Sequence, residues 1–310
     1  MVAENNRLKT EIAGISMKNP VMVASGTFGF GREYADFINI EELGAIVTKG
    51  TSLLPWPGNP PDRIAETPAG MLNAIGLQND GVESLISEKL PWLRQFDVAV
   101  IVNVVGKTLD EYAEIARRLD GVPGICGLEI NISCPNVKEG CIAFGTDAGM
   151  TAAVVGSVKA ATKLPVIPKL SPNVTDIAAM AHVCEDSGAD AVSLINTLMG
   201  TSIDAETRTF RLANITGGLS GPAIKPVALR MVWQAAGAVS IPVIGMGGIS
   251  CAQDAVEFML AGASAVQVGT ANFINPNAGP KIARGIDDYL ARHNFEHVKD
   301  IVGAVKSNNL

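Results

Sequence analysis

The stretch EINISCPNV, residues 129 to 137, places Cys134 just after an alternating apolar and polar run and just before a proline. A thiol with an ordinary pKa of about 8.5 can accept a proton where the site lowers that value or the substrate orders it. Without a histidine partner a thiol is a poor acyl-transfer nucleophile, so proton abstraction is the preferred role for Cys134. The only histidines are His182, His293 and His297, in contexts that read as structural or solvated. The five cysteines include no CxxC pair, which argues against both a disulfide framework and a zinc site. Cys126, Cys184 and Cys251 read as small buried hydrophobes.

Other polar residues stand where apolar runs end: Ser25 with Gly26, Lys49 with Gly50, Asn103, Asn131, Lys169, Asn196 with Thr197, Gly247 with Gly248, and Gly269 with Thr270. Any single Asn or Gly in such a place reads as a turn or cap residue. Together they form a polar ring. Two lysines at such positions are costly unless an anion or an electron-rich ligand meets them. GMGG (245–248) and GTAN (269–272) fit a phosphate cradle, in which glycines let backbone amides approach the oxygens. That cradle suits a substrate phosphate or flavin mononucleotide (FMN) equally. The absence of a GxxxxGK[ST] string argues against a nucleoside triphosphate.

The elements that must carry this ring are eight short β-branched runs: residues 19–26, 44–50, 98–106, 127–133, 165–171, 191–197, 242–248 and 264–271. Amphipathic patterns such as TLDEYAEIARRL, SVKAATKL and CAQDAVEFMLAG lie between them, which is the order of βα units and a parallel sheet. The expected fold is α/β, a single TIM (β/α)8 barrel over residues 1–310 with long loops at the C-terminal face of the strands. Two connections are too long for plain βα loops, residues 51–80 and 198–221, and both follow strand ends on the face where barrel enzymes build their sites. Trp56, in the first of them, reads as a lid or an interface residue.

Composition narrows the class. The 24 Lys and Arg are outnumbered by 31 Asp and Glu, so a phosphate-tracking nucleic-acid surface is not expected. Hydrophobic residues make up 47% of the chain, yet no apolar run approaches the roughly 20 residues of a membrane span. The polar start, MVAENNRLKT, lacks a secretory core and leaves the cytoplasm as the expected location.

On the strings NPVMVASGTFGFG, ETPAGMLNAIGLQNDG, EINISCPNV, INTLMG, TGGLSGPA, GMGGI and AVQVGTANF, the chain resembles the class 1 dihydroorotate dehydrogenases over nearly its whole length. GTFGFG, NAIGLQN and GTANF are more like the class 1B catalytic subunit than the fumarate-using class 1A enzyme. The resemblance implies an FMN enzyme of pyrimidine synthesis that oxidises dihydroorotate to orotate. A proton leaves C5 to Cys134 as base, and a hydride leaves C6 for flavin N5. It further implies FMN contacts at Ser25, Lys49, Gly50, Asn103, Asn131, Lys169, Ile195, Gly221, Gly247, Gly248, Gly269 and Thr270. Lys169 would stabilise the anionic reduced flavin. Dihydroorotate contacts are implied at Lys49, Asn73, Ala74, Ile75, Gly76, Leu77, Asn131, Asn136, Asn196 and Thr197.

The chain has neither a Rossmann GxGxxG after a strand nor a cysteine cluster for iron and sulfur, so it holds no route of its own to a nicotinamide. Class 1B implies a second subunit with FAD and a 2Fe-2S cluster that passes electrons to NAD, in a heterotetramer of two catalytic and two electron-transfer chains. The rival readings are a class 1A homodimer that reduces fumarate, a barrel lyase or isomerase with a Schiff base at Lys169, and a non-catalytic flavin- or metabolite-binding barrel.

Overall fold

The computed structural model describes residues 6–132 and 144–306. All eight β-branched runs become strands of one closed parallel barrel, arranged around it in chain order. They are β1 (Val21–Val23), β2 (Ala45–Val47), β3 (Ala99–Val104), β4 (Gly127–Asn131), β5 (Val166–Lys169), β6 (Val192–Leu194), β7 (Val243–Met246) and β8 (Ala265–Val268). Pairing of β8 with β1 closes the ring, with Val266 opposite Val21.

Alternation along each strand divides the side chains. Val100, Val102, Val104, Leu128, Ile130, Val192, Leu194, Val266 and Val268 face outward into the main apolar core, shared with the surrounding helices. The helix Leu109–Leu119 shows how a helix joins that core: Tyr112, Ile115, Ala116 and Leu119 form one buried stripe, and Thr108 caps the first turn by accepting from the Glu111 amide. Asp147 and Asp176 cap Ala148–Ala161 and Ile177–Asp186 in the same way. SVKAATKL proves to be only the end of a helix that starts at Ala148.

One connection departs from strict βα alternation. The connection from β1 to β2 carries no α-helix, only the 3-10 turn Ile40–Glu42. Leu43 and Val23 there face the closing helix Ala278–Arg292, in which Gly279 allows close packing: a Cβ at that position would lie 2.6 Å from Leu43.

Two features lie outside the barrel. A hairpin, Thr10–Ile12 with Ile15–Met17, precedes it. Ile12, Ile15 and Met17 plug the N-terminal end, packing with the inward residues Met22, Ala45, Val47, Ile101, Ile167, Ile244 and Ala265. At the other end, the two long connections are not loops. They contribute strands Ile64–Thr67, Gly70–Asn73, Leu198–Thr201 and Thr216–Ser220 to a single antiparallel sheet. Gly218 pairs with Asn73, so the two excursions form one lid. Trp56 joins the lid's base through backbone pairing with Asn79, and the Lys107 ammonium lies 5.1 Å from its ring centre.

Candidate active site

Strand register builds the centre of the site. Asn103 lies beside Glu129, and Asn131 beside Lys169, which in turn pairs with Ser193. Because Leu128 and Ile130 point outward, Glu129 and Asn131 point into the barrel. Above the apolar plug there is therefore a polar layer. The Glu129 carboxylate, 1% exposed, accepts from Asn103 Nδ2 at 2.7 Å, from Ser193 Oγ at 2.9 Å and from Gln267 Nε2 at 2.7 Å. Lys169, 4% exposed, places its ammonium 3.5 Å from the same carboxylate and donates to Ser25 Oγ at 3.3 Å. A buried charge is tolerable only when paired and hydrogen-bonded, and both of these are.

Above that layer opens a cavity of about 310 Å³ between the strand ends and the lid. All twelve residues expected to meet the flavin line it: Ser25, Lys49, Gly50, Asn103, Asn131, Lys169, Ile195, Gly221, Gly247, Gly248, Gly269 and Thr270. Asn73, Ile75, Gly76, Leu77, Asn196 and Thr197 line it as well. Asn196 donates to Asn131 Oδ1 at 3.3 Å, and the Thr197 amide donates to Asn196 Oδ1 at 2.8 Å, so these amides come oriented. Ala74 does not join them. Its side chain is buried in the lid's own small core with Ala65, Leu72 and Leu212. Cys134, Asn136 and Cys141 lie outside the described residues.

Lys49 stands half-buried at the end of β2. Burial lowers its pKa, the charge of Arg63 lowers it further, and Glu33 and Asp80 act in the opposite direction. Gly247 and Gly248 turn with φ of +125° and +78°, conformations that a side chain would strain. Thr270 donates or accepts at 2.9 Å with Ser220 of the lid, tying the GTAN loop to the sheet above it.

Several residues were not singled out by sequence reasoning. Gln267, Met71, Ser220 and Phe273 line the cavity, and Glu129 lies beneath it. The signal for Glu129 and Gln267 was present: an acid between Leu128 and Ile130 in GLEIN and an amide between Val266 and Val268 in AVQV interrupt apolar runs. Of the cysteines read as buried hydrophobes, Cys184 is buried and its thiol is pushed up to about 12 by that burial. Cys126 is half-buried. Cys251 is exposed, because it occupies the N-cap of Ala252–Leu260 at the surface. His182, His293 and His297 are all exposed and lie off the cavity wall. Among the described residues no cluster of ligating side chains could hold a metal.

Asn103 Oδ1 and Gln267 Oε1 are buried with no hydrogen-bond partner among the described residues. An orphaned buried acceptor is costly, so two of them on one cavity wall indicate that a ligand with N–H or O–H donors belongs there. With a buried ammonium beside them and glycine turns lining the same cavity, the wall suits a planar, donor-bearing ring with a phosphate tail. A flavin nucleotide fits that description.

The comparisons follow the same line. The family model described as Dihydroorotate dehydrogenase matches residues 7–290. The chain is 61% identical over 299 residues to the dihydroorotate dehydrogenase B (NAD(+)), catalytic subunit, of Geotalea daltonii, covering 96% of this chain and 98% of that one. It is 60% identical to the proteins of the same description in Geobacter sp. strain M21 and Pelobacter propionicus, with the same coverage. Among solved structures, dihydroorotate dehydrogenase of Eimeria tenella, crystallised with ferulenol, superposes with a TM-score of 0.82 at 21% identity, over 98% of this chain and 90% of that one. That likeness concerns the fold. Family match and sequence identity over almost the full length agree that the chain belongs to the dihydroorotate dehydrogenase family.

Proposed function

We propose that this chain is the catalytic subunit of an NAD-linked dihydroorotate dehydrogenase, which oxidises dihydroorotate to orotate in pyrimidine biosynthesis. The observation that carries this reading is the identity of 61% over 96% of the chain to a protein described as that subunit. The cofactor is FMN, which supplies the hydride acceptor when bound. The orphaned carbonyls of Asn103 and Gln267 and the buried Lys169 ammonium support its ring, and Gly247, Gly248, Gly269 and Thr270 support its phosphate.

The chain's own residues then divide the work. Lys49 meets the substrate carboxylate. Asn73, Asn131, Asn136, Asn196 and Thr197 offer paired donors and acceptors to a ring of imide and amide groups. Cys134 accepts the proton from C5, and the lid keeps bulk water from the reacting face. Residues 1–310 act as one flavin-binding unit in the cytoplasm. Electrons leave through a partner subunit bearing FAD and a 2Fe-2S cluster, in an assembly of two catalytic and two electron-transfer chains.

The test is the visible absorption of the purified chain under anaerobic conditions, before and after dihydroorotate is added. Flavin absorption that bleaches on addition is the expected result. Flavin absorption indifferent to dihydroorotate would sink the substrate, and turnover of the isolated chain with fumarate would replace NAD as acceptor. Cys134→Ser should slow bleaching by roughly 10²- to 10⁴-fold, the usual contribution of a positioned base. Unchanged bleaching in that variant would remove Cys134 from the role.

A further inference from the structure

Glu129 does not line the cavity, yet three residues that do, Asn103, Gln267 and Lys169, each meet its carboxylate. A carboxylate can only accept. It therefore decides which end of each neighbouring amide faces it: Asn103 and Gln267 both turn their NH2 groups to Glu129. Their carbonyl oxygens are left on the far side. Both oxygens are buried acceptors without a partner among the described residues, and of the four such oxygens these are the two whose residues lie on the cavity wall. Asn103 Oδ1 lies 3.1 Å from where a Cβ on the wall residue Gly50 would stand.

We propose that Glu129 is a positioning residue for the flavin site, fixing the wall as two acceptors and one ammonium by orienting Asn103 and Gln267 and by balancing the charge of Lys169. The inference rests on the flavin reading above and adds a residue and a sign to it. An acceptor-rich wall suits the N–H edge of a flavin ring, which both redox forms carry. The Glu129 charge also offsets part of the field that Lys169 directs at the ligand, so it keeps the reduced, anionic flavin from being held too tightly.

An amide at position 129 changes both effects. It brings a donor of its own, which must face either Asn103 or the Ser193 and Gln267 side, and the amide it faces turns over. It also removes the countercharge. Glu129→Gln is therefore expected to weaken binding of oxidised FMN at least tenfold. It should also shift the balance tenfold toward reduced flavin, a midpoint about 30 mV more positive for a two-electron couple. Glu129→Asp keeps the charge and should leave the midpoint closer to the wild type. Ser193→Ala removes a donor to the carboxylate from outside the cavity wall, leaving its charge less shared, and should move the midpoint the other way.

The experiment is titration of the wild type and these three variants with FMN, followed by spectroscopic measurement of each midpoint against a reference dye. Opposite shifts in Glu129→Gln and Ser193→Ala support the inference, since a merely structural defect gives no such opposition. Wild-type potential and affinity in both would overturn it while leaving the flavin reading intact. A wild-type chain that takes up no FMN would overturn that reading and this one together. Should Glu129→Gln not fold, Ser193→Ala decides alone, and an unchanged midpoint in it counts against the role.

Discussion

Lys49 stands at the mouth of β2, half out of water and with Arg63 as a like charge, and both effects disfavour its ammonium form. An anion bound beside it restores that form, so binding and protonation are linked. Orotate affinity should be maximal while Lys49 is charged. It should then fall, approaching tenfold per pH unit, as pH rises through a value below the ordinary lysine 10.5. Equilibrium titrations between neutral pH and the lysine range would locate the break, and Lys49→Met should remove it along with most of the affinity. Affinity independent of pH up to the ordinary lysine value would contradict the role. Lys49 was legible in the sequence because a lysine closing an apolar run is conspicuous on its own. Glu129 was not, because its meaning depends on Asn103, Ser193 and Gln267, which only the register of separate strands brings within 3 Å of it.

At the scale of elements, the eight barrel strands were readable because each is a short apolar run bounded by turn residues. The lid sheet was not. Thr216–Ser220 reads TGGLS, and glycine is depleted in strands, so sequence reasoning takes it for a loop. The structure gives those glycines a reason: a Cβ at Gly218 would lie 2.0 Å from Thr197 Oγ1, so the lid strand reaches the site only because that side chain is missing. Gly218→Val should lift the lid from Thr197. Orotate affinity is expected to weaken at least tenfold, while the melting temperature of the barrel moves by a few degrees at most. A variant that binds orotate normally would show that the contact does not seat the lid. The hairpin Thr10–Met17 escaped notice for a related reason. Its two turn residues, Ala13 and Gly14, have φ of +51° and +81°, and alanine at the first of them hides a turn that asparagine would have announced.

Across the whole molecule, stability and chemistry occupy opposite ends of the barrel. The hairpin's apolar plug closes the N-terminal end, the polar layer around Glu129 crosses the middle, and the cavity opens under the lid. Such a separation lets one end be altered without the other. Ile12, fully buried in the plug, is not among the residues that line the cavity. Truncating Ile12 to alanine should cost about 2–5 kcal/mol, the usual loss for a buried isoleucine side chain, and lower the melting temperature by several degrees. FMN and orotate affinities measured well below that temperature should stay at wild-type values. A melting temperature that does not move would mean that the hairpin is not part of the cooperative core. Loss of FMN binding in step with stability would mean that the plug and the polar layer above it act as one unit, and that the barrel transmits strain from its closed end to its open one.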